Sequence, residues 1–357
     1  MDVPDYYLPD DAIAQVPVEP RDSARLLVGL SEPPAHRRVT DLPTLLGPGD
    51  VLVVNTSRVV PARLALRKKS GGAAEVLLLE PLPADEPGTG SGQGPGSGQR
   101  PGSGQGPGQG PGPGMGSWDA LVRPGRRLPP GTVLYAGDVA VVEVGDRRPA
   151  GNRQVTSLVE DLSAYGSVAL PPYIHGTLAD PERYQTVYAE QPGSVAAPTA
   201  GLHLTRPVLE ECRRRGVKVA GVDLAVGLGT FRPIKSAHVE AHTMHAERYR
   251  VPEATWQACL EAERVVAVGT TTVRALESAA ATGLLESRTE LFIQPGHQFS
   301  VVDVLMTNFH QPKSTLLVLL EAFAGPRWRD LYEVALAEGY RFLSFGDAMV
   351  VGRHVPR

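Results

Sequence analysis

The sequence predicts an α/β protein with a large α/β (barrel-like) domain and an inserted small all-β barrel domain. From about residue 160 onward, strand-length apolar runs alternate with helical segments, which is typical of α/β domains. Between about residues 60 and 155 the apolar runs are all strand-like, and glycine and proline residues break them often. We therefore assign residues 1–60 and 156–357 to the large domain and residues 61–155 to the barrel.

The individual elements follow from the apolar runs and the residues that interrupt them. In the large domain we predict strands at residues 51–55, 217–226, 264–268, 291–293, 301–306 and 341–345. Its helices are predicted at 207–215, within 251–263, from 270 to about 281, at 314–324 and at 328–339. The barrel strands that the pattern marks are 75–80, 133–135 and 139–144.

One segment of the barrel region has an unusual composition. Residues 87–117 hold 14 of the 39 glycines and 6 of the 33 prolines, with one charge, Arg100, and one apolar side chain, Met115. Such a segment cannot bury enough apolar surface to offset the entropy lost on ordering. We expect it to be a disordered loop in a hairpin between Leu79 and Trp118.

Composition excludes several classes of protein. Hydrophobic residues make up 42% of the chain and charged residues 21%, which is ordinary for a soluble globular protein. No apolar run approaches the ~18 residues of a membrane span, and residues 1–5 show no signal-peptide pattern. The two cysteines, Cys212 and Cys259, share no motif. We expect a cytoplasmic protein without disulfides or a membrane partner.

Polar side chains cluster in loops that follow predicted strands or open predicted helices, where α/β folds bind ligands. Two structural alternatives stay open: a buried histidine is often structural, and asparagine or threonine at such positions often caps a turn or a helix. The candidate residues are Asn55 and Arg58, Thr199 and His203, His245 and Glu247, Thr271 and Arg274, Asn308 and His310, and Asp347.

Three histidines, His238, His242 and His245, have a spacing that would place them on one face of a helix. The metalloprotease pattern HExxH is absent and no cysteine is nearby, so zinc is the weaker interpretation. His245 with Glu247 as an acid–base pair is the better one. We predict no metal site.

Two basic clusters flank the glycine- and proline-rich segment in the sequence. A basic patch of this kind contacts RNA backbone in some proteins, although it is more often a solvated surface. Its members are Arg63, Arg67, Lys68, Lys69, Arg123, Arg126 and Arg127.

Many ordered segments of the chain resemble one family, the S-adenosylmethionine:tRNA ribosyltransferase-isomerases of queuosine biosynthesis. They include Asp5-Tyr6-Tyr7-Leu8-Pro9, Glu182-Arg183-Tyr184-Gln185-Thr186-Val187-Tyr188 and Met244-His245-Ala246-Glu247. The other matching segments are 21–27, 48–50, 55–64, 171–174, 196–205, 227–233, 267–277, 307–325 and 340–349.

The resemblance implies a reaction. Such enzymes transfer and isomerise the ribosyl part of S-adenosylmethionine onto 7-aminomethyl-7-deazaguanine in tRNA, giving epoxyqueuosine with release of adenine and methionine. S-adenosylmethionine would be the cosubstrate, tRNA the partner and no metal would take part. The family fold, an α/β domain with an inserted β-barrel, agrees with the division predicted above. We expect a monomer.

The resemblance also suggests roles for the candidate residues. The catalytic set would be His203, His245, Glu247 and His310. The S-adenosylmethionine-binding set would be Asn55, Arg58, Thr199, Thr271, Arg274, Asn308 and Asp347. The seven basic residues of the two clusters would bind tRNA.

The chain departs from the family pattern at three positions. Ala225 stands where the family usually has histidine, Thr56 follows Asn55 where an acidic or amide residue is common, and Gln311 replaces an apolar residue. A paralogue that binds S-adenosylmethionine or RNA with another acceptor, or without ribosyl transfer, is therefore the alternative.

Overall fold

The computed structural model describes residues 2–83, 116–227, 234, 239, 244 and 246–354. The described chain forms two compact units. The first comprises Met1–Val59, Leu170–Glu190 and Ala196–Arg357, and the second comprises Val60–Ala169 and Gln191–Val195. The fold class is confirmed, since the first unit is built on a large mixed sheet with helices and the second on a closed antiparallel barrel of six strands.

The strands are numbered in chain order. They are β1 Arg25–Gly29, β2 Ala35–Arg38, β3 Asp50–Asn55, β4 Ser57–Val59, β5 Arg63–Lys68, β6 Ala73–Pro81, β7 Ser117–Arg123, β8 Thr132–Ala136, β9 Val139–Arg147, β10 Arg153–Ser157, β11 Gly166–Ser167, β12 Gln191–Ser194, β13 Lys218–Leu224, β14 Glu247–Arg250, β15 Arg264–Val268, β16 Glu286–Thr289, β17 Val304–Asn308 and β18 Ala348–Gly352. The α-helices are α1 Arg206–Arg214, α2 Glu253–Glu261, α3 Thr270–Thr282, α4 Thr315–Ala324 and α5 Trp328–Ala337.

The large sheet has the strand order β16-β14-β13-β3-β15-β17-β18-β1-β2. Its centre, β13, β3, β15 and β17, is parallel, and β18 next to it is antiparallel. Within the described residues no pairing joins β2 to β16, so the large unit is a sheet with two edges rather than a barrel. The carboxyl ends of the four parallel strands meet at one edge of the sheet.

Apolar residues of β3 pack on both faces of this sheet. Val51 and Val53 belong to one hydrophobic core, and Leu52 and Val54 belong to a second. Successive side chains of a strand point to opposite faces, so the continuous apolar run of β3 indicates a strand covered on both sides. The carboxyl ends of the central strands, where the polar residues lie, are therefore fixed by a hydrophobic core on each face of the sheet.

The second unit closes in the order β5-β6-β7-β10-β9-β8, with β8 pairing back to β5. Along β5, Leu64 and Leu66 are buried while Arg63 and Arg67 are exposed, which is the alternation expected of a barrel wall. Strands β6 and β7 form the predicted hairpin, in which Pro81 pairs with Trp118. Of the predicted disordered loop 87–117, residues 87–115 lie outside the described residues, and its last residue, Ser117, is instead the first of β7.

Two predicted strands of the large domain are wrong. Residues 291–293 are irregular, because the Leu291 carbonyl accepts from Arg274 Nε (3.1 Å) and the Leu291 N–H donates to Thr289 Oγ1 (3.0 Å) rather than to a neighbouring strand. Residues 341–345 form a turn in which Leu343 has φ 67°. The strands that the sheet uses are β16 and β18, which lie before the first of these segments and after the second.

No α-helix among the described parts of the chain is long and apolar enough to cross a membrane. Both cysteines, Cys212 and Cys259, are free thiols and buried.

Candidate active site

A cleft runs along the edge where the parallel strands end. Three adjoining, partly open hollows share lining residues, and Leu316 of α4 lines all three. Thr199, Asn308 and His310 join the first two hollows, whereas Thr270 and Thr271 join the second to the third. We call this continuous depression the strand-end cleft. Three joined hollows lined by polar and apolar residues are compatible with an extended ligand that has several polar groups.

Asn55, at the end of β3, stabilises the backbone beside the cleft through hydrogen bonds. Its amide Nδ2 donates to the Leu224 carbonyl (3.0 Å) and to Thr271 Oγ1 (3.2 Å). Its Oδ1 accepts from the backbone N–H of Ser57 (3.1 Å) and Leu224 (3.2 Å). All the hydrogen-bonding capacity of the amide is used inside the protein, so Asn55 holds β3, β13 and α3 together.

A chain of side-chain hydrogen bonds runs from the cleft to His203. Thr199 donates through Oγ1 to Asn308 Oδ1 (2.9 Å), and Asn308 Nδ2 donates to His203 Nε2 (3.0 Å). Because an amide nitrogen only donates, Nε2 of His203 is the unprotonated nitrogen of the ring. His203 lines a neighbouring hollow with Arg21 and Arg183. This hollow shares Ser344 with the strand-end cleft, and the His203 ring contacts the cleft residue Asn308.

His203 is neutral at neutral pH. Burial, together with the nearby guanidinium groups of Arg341, Arg183 and Arg21, lowers the pKa of its imidazole to about 4. A hydrogen bond to the Arg21 backbone acts in the opposite direction on the same pKa.

His310 differs from His203 because it lines the strand-end cleft directly. Its Nε2 is 3.0 Å from Thr307 Oγ1, while its backbone N–H donates to the Tyr332 hydroxyl (2.7 Å). Burial lowers the pKa of the His310 imidazole to about 3, so this ring is also neutral. Within the described residues Nδ1 of His310 has no hydrogen-bond partner, which leaves it available to a ligand.

Glu247 and Arg274 form a buried ion pair at the other end of the cleft, between Glu247 Oε2 and Arg274 Nη1. Glu247 Oε1 also accepts from the Gly227 backbone N–H (2.9 Å). Arg274 lines the cleft, and its Nη2 is buried without a hydrogen-bond partner among the described residues. The predicted partner of Glu247 in acid–base chemistry, His245, lies outside the described residues.

Besides Asn55, two predicted ligand-binding residues do not line the strand-end cleft. Arg58 pairs with Glu182 Oε1 at 2.5 Å and is half-exposed. Asp347 accepts from the backbone N–H groups of Arg25 (2.8 Å) and Arg341 (2.9 Å) with its two carboxylate oxygens. Asp347 thus stabilises the turn before β18, and the same contacts hold residues 341–345 out of the sheet.

The donors of the cleft favour an anionic ligand group. Helices α3 and α4 both begin at the cleft, and the N-terminus of a helix carries partial positive charge. Gly269, at φ 88°, precedes α3 and has no side chain that could cap it. The described residues contain no group of three or more metal-ligating side chains, and His238, His242 and His245 lie outside those residues.

Sequence reasoning misses Thr315, Thr307 and Thr270. Thr315 begins α4 and lines the cleft, Thr307 holds the His310 ring, and Thr270 begins α3. Ser314 is the residue that caps α4, where it accepts from the Leu317 N–H (3.2 Å). A threonine directly after a capping serine is the signal that could have indicated Thr315.

The seven basic residues lie on the barrel. All but the half-buried Lys68 are exposed. The hairpin after β5 carries Lys68 and Lys69, and the segment between β7 and β8 carries Arg126 and Arg127. Because β5 is antiparallel to β6 and to β8, and β6 to β7, both segments lie at the same end of the barrel. Residues 83 and 116, where the glycine- and proline-rich segment begins and ends, lie at the opposite end.

The fold and the cleft define an α/β enzyme with a site for an extended, partly anionic small molecule at the carboxyl ends of parallel strands. Residues 2–351 match the sequence model of a family described as queuosine biosynthesis protein. The chain belongs to this family.

Similar proteins cover nearly the whole chain. S-adenosylmethionine:tRNA ribosyltransferase-isomerase from Rubrobacter xylanophilus is 46% identical over 97% of this chain and 96% of that protein. The protein of the same name from Thermus thermophilus is 48% identical over 97% and 98%. The crystal structure of S-adenosylmethionine tRNA ribosyltransferase from Thermotoga maritima covers 97% of this chain and 98% of that chain, with 34% identity and a TM-score of 0.50.

Proposed function

We propose that this chain transfers and isomerises the ribosyl moiety of S-adenosylmethionine onto 7-aminomethyl-7-deazaguanine in tRNA. The products are epoxyqueuosine in tRNA, adenine and methionine. The observation that carries the proposal is the family match over residues 2–351, together with relatives of that activity at 46% and 48% identity over 97% of the chain. S-adenosylmethionine is the cosubstrate and tRNA the macromolecular partner, and the chain acts as a cytoplasmic monomer without a metal.

The strand-end cleft is the site for S-adenosylmethionine in this proposal. Thr199, Asn308 and Thr271 present polar groups along its length, and Arg274 lies at one end. Asn55 and Asp347 support the cleft through backbone hydrogen bonds rather than through the ligand. Arg58 pairs with the exposed Glu182 and does not line the cleft. Any contact that Arg58 makes with a substrate therefore lies outside the cleft.

His310 is the residue best placed to move protons in the reaction. Release of adenine breaks the C1′–N9 bond and release of methionine breaks the C5′–sulfur bond, and the reaction needs proton transfers near the ribosyl group. The neutral His310 ring lines the cleft with Nδ1 available, so it can accept a proton and return it. His203 holds Asn308 in place, and Glu247 holds Arg274.

A second function has one observation in its favour. Ala225 follows β13, where the family usually has histidine, and its backbone N–H donates to the Arg248 carbonyl (3.1 Å). A methyl group cannot transfer a proton or bind a ligand by hydrogen bonds. If the missing imidazole is needed for the usual acceptor, the chain is a paralogue that uses S-adenosylmethionine with another acceptor.

One experiment decides between the two functions. Purified protein is incubated with S-adenosylmethionine and tRNA that carries 7-aminomethyl-7-deazaguanine, and the tRNA nucleosides are analysed by mass spectrometry. Epoxyqueuosine and an equal amount of free adenine are expected. Adenine release without epoxyqueuosine, or neither product, would contradict the proposed reaction. Ala225→His in the same assay shows whether the departure at that position limits the rate.

A further inference from the structure

Two buried polar atoms without partners among the described residues border the same end of the strand-end cleft. They are Arg274 Nη2 and Thr315 Oγ1, and their residues are only 4% and 5% exposed. Leaving such a group unpaired destabilises a protein by about 1–3 kcal/mol, so buried polar atoms nearly always have partners. Nine such atoms occur among the described residues, and of these only Arg274 Nη2 and Thr315 Oγ1 belong to residues that line the strand-end cleft, where a ligand could supply the missing partner.

The positive charges around these two atoms favour a negatively charged group of the ligand. Thr315 is the first residue of α4, and Thr270 and Thr271 are the first residues of α3. The N-termini of two helices, which carry partial positive charge, and the guanidinium of Arg274 therefore lie at one hollow. The neighbouring Glu247 neutralises one positive charge, which favours a singly charged group over a doubly charged phosphate.

The walls of the hollow are apolar. Leu291, Ile293, Leu316, Leu319 and Met244 line it beside the polar groups. Apolar walls with a few donors at one end suit a short aliphatic chain that carries a carboxylate. A ribose hydroxyl could also bond both atoms, but it carries no negative charge to match the guanidinium and the two helix N-termini.

We propose that Arg274 and Thr315 form a carboxylate site that receives the α-carboxylate of the methionyl part of S-adenosylmethionine. Arg274 Nη2 and the Thr315 hydroxyl each donate one hydrogen bond to it, and the apolar walls receive the methylene groups. This inference rests on the proposed function for the identity of the ligand. It makes Thr315 a specificity-determining residue, because a cosubstrate without the carboxylate leaves both donors unpaired again.

The test compares S-adenosylmethionine with its decarboxylated analogue. Binding of each to the full-length protein is measured by calorimetry, with a tRNA anticodon stem-loop that carries the modified base present. The wild type is expected to bind the analogue at least ~10-fold more weakly, since a hydrogen bond to a charged group contributes this much or more. Thr315→Val should weaken binding of S-adenosylmethionine ~10-fold and leave binding of the analogue unchanged.

The control is Thr186→Val. Thr186 Oγ1 is also buried and unpaired within the described chain, but Thr186 does not line the strand-end cleft. This variant should bind both compounds as the wild type does. Arg274→Lys, which keeps the charge beside Glu247 and removes Nη2, should reduce the discrimination like Thr315→Val, and thermal unfolding shows whether each variant is folded.

Two results would overturn the carboxylate site. One is equal binding of the two compounds by the wild type, and the other is an equal effect of Thr315→Val on both. The proposed function fails separately, in the nucleoside assay. A protein that discriminates as described but forms no epoxyqueuosine would keep the carboxylate site and lose the reaction.

Discussion

At the scale of single residues, the two buried histidines of the site have different roles. His203 lines a neighbouring hollow, and its Nε2 accepts from Asn308 Nδ2. His310 lines the strand-end cleft itself, and its Nε2 lies 3.0 Å from Thr307 Oγ1. The sequence suggests the same catalytic role for both residues, because a hydrogen-bond partner 105 residues away leaves no local pattern.

Replacing each histidine by asparagine distinguishes the two roles. His310→Asn should slow single-turnover adenine release by about 10²–10⁴-fold, the usual contribution of a general acid–base. His203→Asn should act mainly on the KM for S-adenosylmethionine, with an increase of roughly 10-fold or less, because one hydrogen bond that orients Asn308 is removed. Wild-type rates in both variants would remove the two histidines from the chemistry.

The pH dependence of the rate is a second measure of His310. Its pKa is lowered from the ordinary histidine value of 6.5 to about 3, so its ring stays unprotonated as the pH falls through 6.5. Adenine release in the wild type should therefore show no decrease in rate near pH 6.5 that is due to this residue. A decrease there that disappears in His310→Asn would contradict the neutral ring.

At the scale of elements, Asn55 joins the end of β3 to β13 and α3. Asn55→Ala would leave the backbone of Leu224 and the Ser57 N–H without partners in a buried site. We expect a decrease of about 2–4 kcal/mol in the free energy of unfolding, measured by urea denaturation. Gln257→Ala, which removes one exposed hydrogen bond to Glu253, is the control and should change it by less than about 0.5 kcal/mol.

Apolar runs predict β3 and β15, but an apolar run is not always recognised, since β1 (RLLVG) and β18 (AMVVG) are missed. β3 and β15 are buried on both faces, and their predicted bounds agree with the structure within one residue. β2, β14 and β16, with the sequences AHRR, ERYR and ESRT, lack an apolar run and become strands by pairing with a neighbour. The turn before β18 depends on the contact of Asp347 with Arg25, 322 residues away.

The position of the site is easier to predict from the sequence than the hydrogen-bond partners of its side chains. Polar residues directly after apolar strands mark the carboxyl edge of a parallel sheet, which is why the sequence indicates Asn308 and Thr271. Whether such a residue meets the ligand or holds the backbone depends on partners distant in sequence. Asn55, for example, donates to the carbonyl of Leu224, 169 residues away, a contact that the sequence does not indicate.

At the scale of the whole molecule, the glycine- and proline-rich segment should be dispensable. Leu82 N–H donates to the Ser117 carbonyl at 2.7 Å, so a short turn can replace residues 84–115 without disturbing β6 or β7. Shortening the loop should leave adenine release unchanged and raise the free energy of unfolding by at most roughly 2 kcal/mol, since closure entropy grows slowly with loop length. A folded variant that releases no adenine would show that the segment has a catalytic role.

The charge on the barrel leads to a prediction about tRNA. Both basic segments lie at one barrel end, away from the points where residues 84–115 attach, so one RNA backbone can contact them together. Arg126→Ala with Arg127→Ala should raise the KM for tRNA and lower the slope of log affinity against log salt by about 1 for each phosphate that is no longer bound. The KM for S-adenosylmethionine should not change, because its site lies in the other unit.

The matched control is Arg213→Ala, which removes an exposed arginine on α1 and should leave the salt slope as it is. An unchanged slope in the double variant would mean that this end of the barrel is a solvated surface and that tRNA binds elsewhere.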